Sequence, residues 1–257
     1  MIELLGFAVG FLVGLTGIGG GALMTPSLIL LGVQVEKAVG TDLLYAFVVK
    51  SFSSTLYRRG KSIDYDLVKI TAIPGLVGVT MGYFVLKRNF LTSDYLTLIL
   101  GFSLLLAATL MIVSSLRDRF KTECFVCEKY CESFKNSNGS RVVIVLVALG
   151  VGVLVELTSI GSGTLMTFAV LTITKLKPNK VVGSELVTSL ILTGFAATLH
   201  AEIGNIDKAL ALSLIPAGVL GSLAGFLVSR KCSPEVLKSA ISFSIALAAL
   251  TVILGKL

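Results

Sequence analysis

Residues 15–26 read LTGIGGGALMTP, and residues 157–168 read LTSIGSGTLMTF. One glycine-broken apolar phrase thus stands twice in the chain, 142 positions apart. The correspondence extends outward at nearly the same offset. VEKAVGTDLL (35–44) pairs with PNKVVGSELV (178–187), Ile63-Asp64 with Ile206-Asp207, and Pro74 with Pro216. Chance likeness between apolar segments does not align glycines, prolines and acids together. The sequence therefore reads as two copies of one unit, 1–116 and 141–257, joined by a polar linker at 117–140.

Composition sets the solvent. The 257 residues are 54% hydrophobic and 14% charged, with a mean hydropathy of +0.93. A water-soluble domain carries about a quarter charged residues. Apolar runs at 68–86, 95–116, 183–199, 209–229 and 236–254 have the length that crosses a hydrocarbon core of about 30 Å. The net charge of +7 has no basic soluble face on which to bind nucleic acid, so no nucleic-acid partner is expected. The N-terminus, MIELLGFAVG, lacks the cationic start of a cleaved signal peptide and reads as mature chain. With no Trp present, Tyr83 and Tyr95 are the expected interface anchors.

Each unit opens with an apolar stretch interrupted in its middle: 2–31 at Thr16–Gly21, and 141–175 at Thr158–Gly163. Three unbroken spans follow in each copy. The opening stretch either crosses as one broken helix or enters and returns as a hairpin of two half-helices. The hairpin puts 16 basic residues on one face and five (Lys37, Lys87, Arg88, Lys208 and Lys256) on the other, whereas the crossing model gives roughly 12 against 9. The positive-inside rule favours the larger imbalance. The predicted fold is an all-α polytopic membrane protein of two inverted repeats, each a re-entrant hairpin followed by three transmembrane helices. It is expected in the cell membrane, with both termini outside and the 117–140 loop in the cytoplasm.

Interrupted backbone at membrane depth survives only inside protein or beside water, because unpaired amides are costly in hydrocarbon. Glycine lets the chain turn there and lets a ligand approach. A new half-helix is expected to begin near Ala22 and another near Thr164. Helix N-termini offer free N–H donors and partial positive charge, which suits anions. Transporters built from inverted repeats use this geometry. The candidate anion-binding residues are Thr16, Gly17, Gly19, Gly20, Gly21 and Thr25 in the first copy. Thr158, Ser159, Gly161, Ser162, Gly163 and Thr167 are their partners in the second, where Ser159 and Ser162 replace Gly17 and Gly20. Glycine ridges at 6, 10 and 14, at 75, 78 and 82, and at 218, 221 and 225 read as close helix packing. GIGGGA lacks the strand that a dinucleotide fingerprint requires, so that reading is rejected.

Charged residues inside spans need a cavity or a partner. Lys50, whose repeat counterpart is Thr193, either attracts the anion, snorkels to the interface or pairs structurally. Glu156 stands where the first copy has Gly14, either as a proton-coupling carboxylate or as an acceptor for break amides. Asp42 and Glu185 occupy matched places and are further coupling candidates, with helix-start acids as the plainer reading. His200, the only histidine, reads as an interface residue near a span end, with proton relay as the other reading. CFVCEKYC supplies Cys124, Cys127 and Cys131, and with Cys232 these form either a structural metal site on the cytoplasmic side or unligated thiols. No other cofactor is expected.

GFLVGLTGIGGGALMTPSLILLG, the following VGTDLL and their degenerate second copies resemble the TauE/SafE family of sulfite exporters and anion permeases. The resemblance spans essentially the whole chain. It implies an integral membrane carrier that moves sulfite or a small organosulfonate, in most members outward. A secondary carrier driven by an ion gradient is the expectation, since no Walker A motif is present. Its partners are then a small sulfur-containing anion and the lipid bilayer. The alternatives are an anion channel, or an intramembrane serine protease using Ser162 and His200.

Overall fold

A chain this apolar satisfies its backbone polar groups internally, and helices do so within each segment. The computed structural model describes residues 2–16, 21–57, 63–88, 92–120, 138–174 and 178–229, and in these it is helical with no strand. The elements are α1 (Ile2–Thr16), α2 (Gly21–Leu30), α3 (Val35–Tyr57), α4 (Tyr65–Lys87) and α5 (Ser93–Phe120), then α6 (Asn138–Thr158), α7 (Thr164–Thr174), α8 (Pro178–Ile203) and α9 (Lys208–Ser229). Among the described residues, 65–87, 141–158, 183–203 and 208–228 are long and apolar enough to cross a membrane. The 23 residues of α3 match α4 in length, but α3 carries Glu36, Lys37, Asp42 and Lys50. The expected span at 236–254 and all four cysteines lie outside the described residues.

Both breaks fall where the repeated phrase puts them. α1 ends at Thr16 and α2 starts at Gly21; α6 ends at Thr158 and α7 starts at Thr164. The half-helices α2 and α7 have 10 and 11 residues, about 15 Å of rise, or half the hydrocarbon thickness.

The two copies embrace each other. α1 packs on α9, and its equivalent α6 packs on α4, the equivalent of α9. In the first seam Gly10 meets Gly218, and Gly221 and Gly225 meet the carbonyls of Phe7 and Phe11. In the second, Gly152 meets Gly75, while Gly78 and Gly82 meet the carbonyls of Leu149 and Val153. These are the same contacts with the copies exchanged. The glycine ridges thus serve close packing, as their spacing predicts. Helix starts exchange partners in the same way. Asp64 caps α4 through the N–H groups of Asp66 and Leu67, and its own N–H donates to Ser184 Oγ at 2.8 Å. Asp207 caps α9 through Ala209 and Leu210, and its N–H donates to Thr41 Oγ1 at 3.0 Å.

Residue pairing also gives helix direction. Numbers rise together along α1 and α9 and along α4 and α6, so each pair runs the same way. Along α3 and α8, Gly40 meets Asn205 and Gly194 meets Phe47, so these equivalent helices run in opposite directions. The end of α4 meets the end of α8 through Lys87 and Glu202 at 3.1 Å. The start of α5 meets the start of α3 through Ser93 and Glu36 at 2.7 Å.

Polarity is distributed for lipid. Leu4, Ile73, Phe84, Phe102, Leu146 and Leu212 are exposed, while Asp42, Lys50, Glu156, Glu185 and His200 are buried. In water this arrangement would pay twice, once for apolar exposure and once for charge burial. Tyr95 faces outward as an anchor would. Tyr83 does not: its ring is buried, and its hydroxyl donates to Glu202 Oε1 at 2.8 Å while accepting from Lys87 Nζ.

Candidate functional site

The second break is built from short polar residues. Thr158 closes α6 by donating to the Leu154 carbonyl at 2.6 Å and accepting from the Ile160 N–H. Ser159 then takes φ 61° and Gly161 φ 113°. The left-handed conformation costs a non-glycine residue about 1–3 kcal/mol and persists where its surroundings impose it. The first copy has Gly17 at the place of Ser159. At the start of α7, the N–H groups of Met166 and Thr167 donate to the carbonyls of Gly161 and Gly163.

The start of α2 touches the second break. Gly21, the first residue of α2, lies against Ser159: a β-carbon there would collide with the Ser159 carbonyl and come within 3.2 Å of its Oγ. Residues 138 apart in sequence (21 and 159) are thus in backbone contact.

Charge collects beside this contact. Counting from Val35, Lys50 lies about 22 Å along α3 at 1.5 Å per residue. Its side chain is 4% exposed, and its Nζ donates to Ser162 Oγ at 2.9 Å. Asp42 and Glu185 are its electrostatic neighbours, and no ion pair under 4.0 Å joins them to Lys50 among the described residues. Thr25 Oγ1 donates to Asp42 Oδ2 at 2.5 Å. Asp42 Oδ1, both Glu185 carboxylate oxygens and Ser159 Oγ are buried with no hydrogen-bond partner among the described residues. Buried polar atoms are nearly always satisfied, so four orphans in one place call for a ligand, a proton or water.

A second buried pair lies on α6 and α8. His200 Nε2 is 3.0 Å from the Glu156 carbonyl oxygen and 3.5 Å from its Oε1. Both Glu156 carboxylate oxygens and His200 Nδ1 lack a hydrogen-bond partner among the described residues. Room for these side chains comes from glycine. A β-carbon at Gly82 would meet Glu156 Cβ at 2.8 Å, and one at Gly40 would meet His200 Nδ1 at 3.0 Å.

The geometry revises several expectations. His200 is no interface residue: α8 continues to Ile203 and the ring is 1% exposed. Lys50 does not snorkel, because Ser162 meets its ammonium inside the protein. Asp42 and Glu185 are not helix-start acids, for α3 begins at Val35 and α8 at Pro178, so both stand at the eighth position. The hydroxyls of Thr25 and Thr158 already donate to protein oxygens. Thr167 is buried near the start of α7, and Gly163 precedes that helix. Ser162 meets Lys50 and His200 meets Glu156, so the Ser162–His200 bond a protease requires is not made. The Thr16 side chain, together with Gly17, Gly19 and Gly20, falls outside the described residues.

Buried charges, lipid-compatible faces and two facing helix breaks define a multi-pass helical membrane protein with a polar site in its interior. The chain belongs to the TauE/SafE sulfite exporter family, whose model matches residues 2–252. It is 33% identical over 241 residues to the probable membrane transporter protein YjnA of Bacillus subtilis, covering 92% of each chain. It is 27% identical to the probable membrane transporter protein YunE of the same organism, covering 92% of this chain and 90% of that one. A probable membrane transporter protein of Methanocaldococcus jannaschii, MJ0441, is 29% identical over 63% of this chain and 69% of its own. No solved structure matches the chain. The protein is a membrane transporter.

Proposed function

We propose that this transporter is a secondary carrier of sulfite or another small sulfur oxyanion or organosulfonate, working as an exporter in the cell membrane. The contact between Gly21 and Ser159 carries the reading, because it sets the start of α2 against the second break, five residues before α7 begins. Two helix N-termini directed at one site favour an anion. The anion is met by the early amides of α2, by the first two amides of α7 ahead of Met166, by the Ser159 and Ser162 hydroxyls and by the Lys50 ammonium. Glu156, Asp42 and Glu185 are the acids available to couple its movement to a proton gradient.

The inverted arrangement of the copies belongs to the same proposal. It is supported by the opposed directions of α3 and α8 and by the exchanged contacts of the two seams. Lys37, Lys87 and Lys208 then share the outer end with the N-terminus, and the more basic end, with 117–140, faces the cytoplasm.

A thermal-unfolding screen of the purified protein against sulfite, sulfate, thiosulfate and short sulfonates tests the substrate class. A ligand at 100 times its Kd stabilises the folded state by about 2.7 kcal/mol. At least one of these anions is expected to raise Tm, and to show saturable uptake into proteoliposomes. If none stabilises the protein and liposomes load no faster than protein-free controls, the reading is wrong.

A further inference from the structure

The neighbourhood of Lys50 holds more acid than base. One ammonium, from α3, faces Asp42 on its own helix and Glu185 on α8, a formal charge of −1. Other ionisable groups on the packed elements lie elsewhere. Glu156 and His200 pair with each other, Asp64, Asp66 and Asp207 stand at helix starts, and Lys87 pairs with Glu202. Tyr45 donates its hydroxyl to the Gly6 carbonyl at 2.6 Å. An anion added to a buried site of net charge −1 raises the electrostatic cost steeply in a medium of low dielectric. Yet Ser162 and Lys50 already join the second break to the only ammonium within the described site.

We propose that Lys50, Asp42 and Glu185 form a charge-exchange site, in which an oxyanion takes the Lys50 ammonium while protons bind the two carboxylates. This rests on the anion-carrier reading and gives it a stoichiometry. Charge stays constant when the number of protons equals the charge of the anion. A monoanion brings one proton and a dianion brings two, one for each carboxylate. The orphaned oxygens of Asp42 and Glu185 are where those protons reside. Ser162 is the positioning residue, holding the ammonium toward the break until the anion replaces it.

The test is calorimetric titration of the purified protein with methanesulfonate and with thiosulfate, each in two buffers of different protonation enthalpy, which counts protons taken up per anion. About one proton is expected with methanesulfonate and about two with thiosulfate. Because the bound state holds more protons than the free state, affinity for methanesulfonate falls about tenfold per pH unit on the alkaline side. Glu185→Gln leaves one carboxylate to protonate, so uptake with thiosulfate falls from about two protons to about one. Asp42→Asn serves in its place if that variant does not reach the membrane.

Binding with no proton uptake overturns this inference and leaves the carrier reading intact. Uptake with thiosulfate that stays near two protons in both variants but falls in Glu156→Gln also overturns it, by moving the proton to the Glu156–His200 pair. Binding that requires sodium and ignores pH overturns it as well. If neither anion binds at any pH, the carrier reading falls too.

Discussion

The two copies agree in scaffold and differ in charge. Asp64 and Asp207 cap matched helices, Ser184 and Thr41 receive their N–H groups, and the glycine seams exchange partners across the molecule. Three of the five buried Asp, Glu, Lys and His residues described do not repeat. Lys50 has Thr193 as its counterpart, Glu156 has Gly14, and His200 has Tyr57. Thr193 donates to the Ser189 carbonyl within its own helix, whereas Lys50 reaches across to Ser162. Within a frame of matched contacts, one ammonium and one acid–imidazole pair stand in one half each. Among the buried ionisable residues described, only Asp42 and Glu185 match between the copies.

The sharpest way to break this contrast is to exchange the unequal residues. Lys50→Met leaves buried carboxylates without their cation, which costs about 3–5 kcal/mol. Thr193→Val at the matched place loses one helix-internal bond, about 1 kcal/mol. Thermal unfolding in detergent should separate the two variants widely, and equal losses would mean that Lys50 has no buried counter-charge.

The seams should instead respond alike in the two copies. Gly10→Ala and Gly152→Ala each drive a β-carbon into a backbone carbonyl, at a cost of about 1–3 kcal/mol. Gly150→Ala is the control. Nothing lies within 4 Å of a β-carbon there, so helix propensity alone acts and stability rises by about 0.5–1 kcal/mol. A loss at Gly150 comparable to that at Gly152 would contradict the seam. The smallest expected effect is the most symmetric: Asp64→Ala and Asp207→Ala should each cost about 1 kcal/mol through the lost cap. A clear inequality would show that one helix start is held by something other than its aspartate.

The sequence showed what repeats and left obscure what does not. The breaks, the spans and the glycine ridges are visible because hydropathy and glycine spacing act locally and recur at a fixed offset. Thr16 and Thr158 were legible as helix ends because Gly-rich or Gly/Ser-rich runs follow them. Lys50 was legible as an anomaly, but its partner was not, since Ser162 lies 112 positions away. His200 was misread for the same reason. Its burial depends on Gly40 leaving room and on Glu156 lying opposite, neither of which its own neighbours announce. The eighth-position acids were read one to two turns too close to their helix starts, because VGTDLL and VGSELV carry no local mark of where each helix begins. A usable signal was present in the repeat: Thr41 and Ser184 precede matched acids, and Asp64 and Asp207 are matched too. Paired small hydroxyls and paired aspartates are what two copies need to cap one another.

That mutual packing has a consequence for how the chain can be dismantled. The glycine stripe of α1 fits no helix of its own copy; it fits α9, and α6 likewise needs α4. Either half alone leaves that stripe uncovered. Cutting today's chain within 121–137 and producing the two pieces separately should therefore yield insoluble fragments, while producing them together should restore one intact bundle.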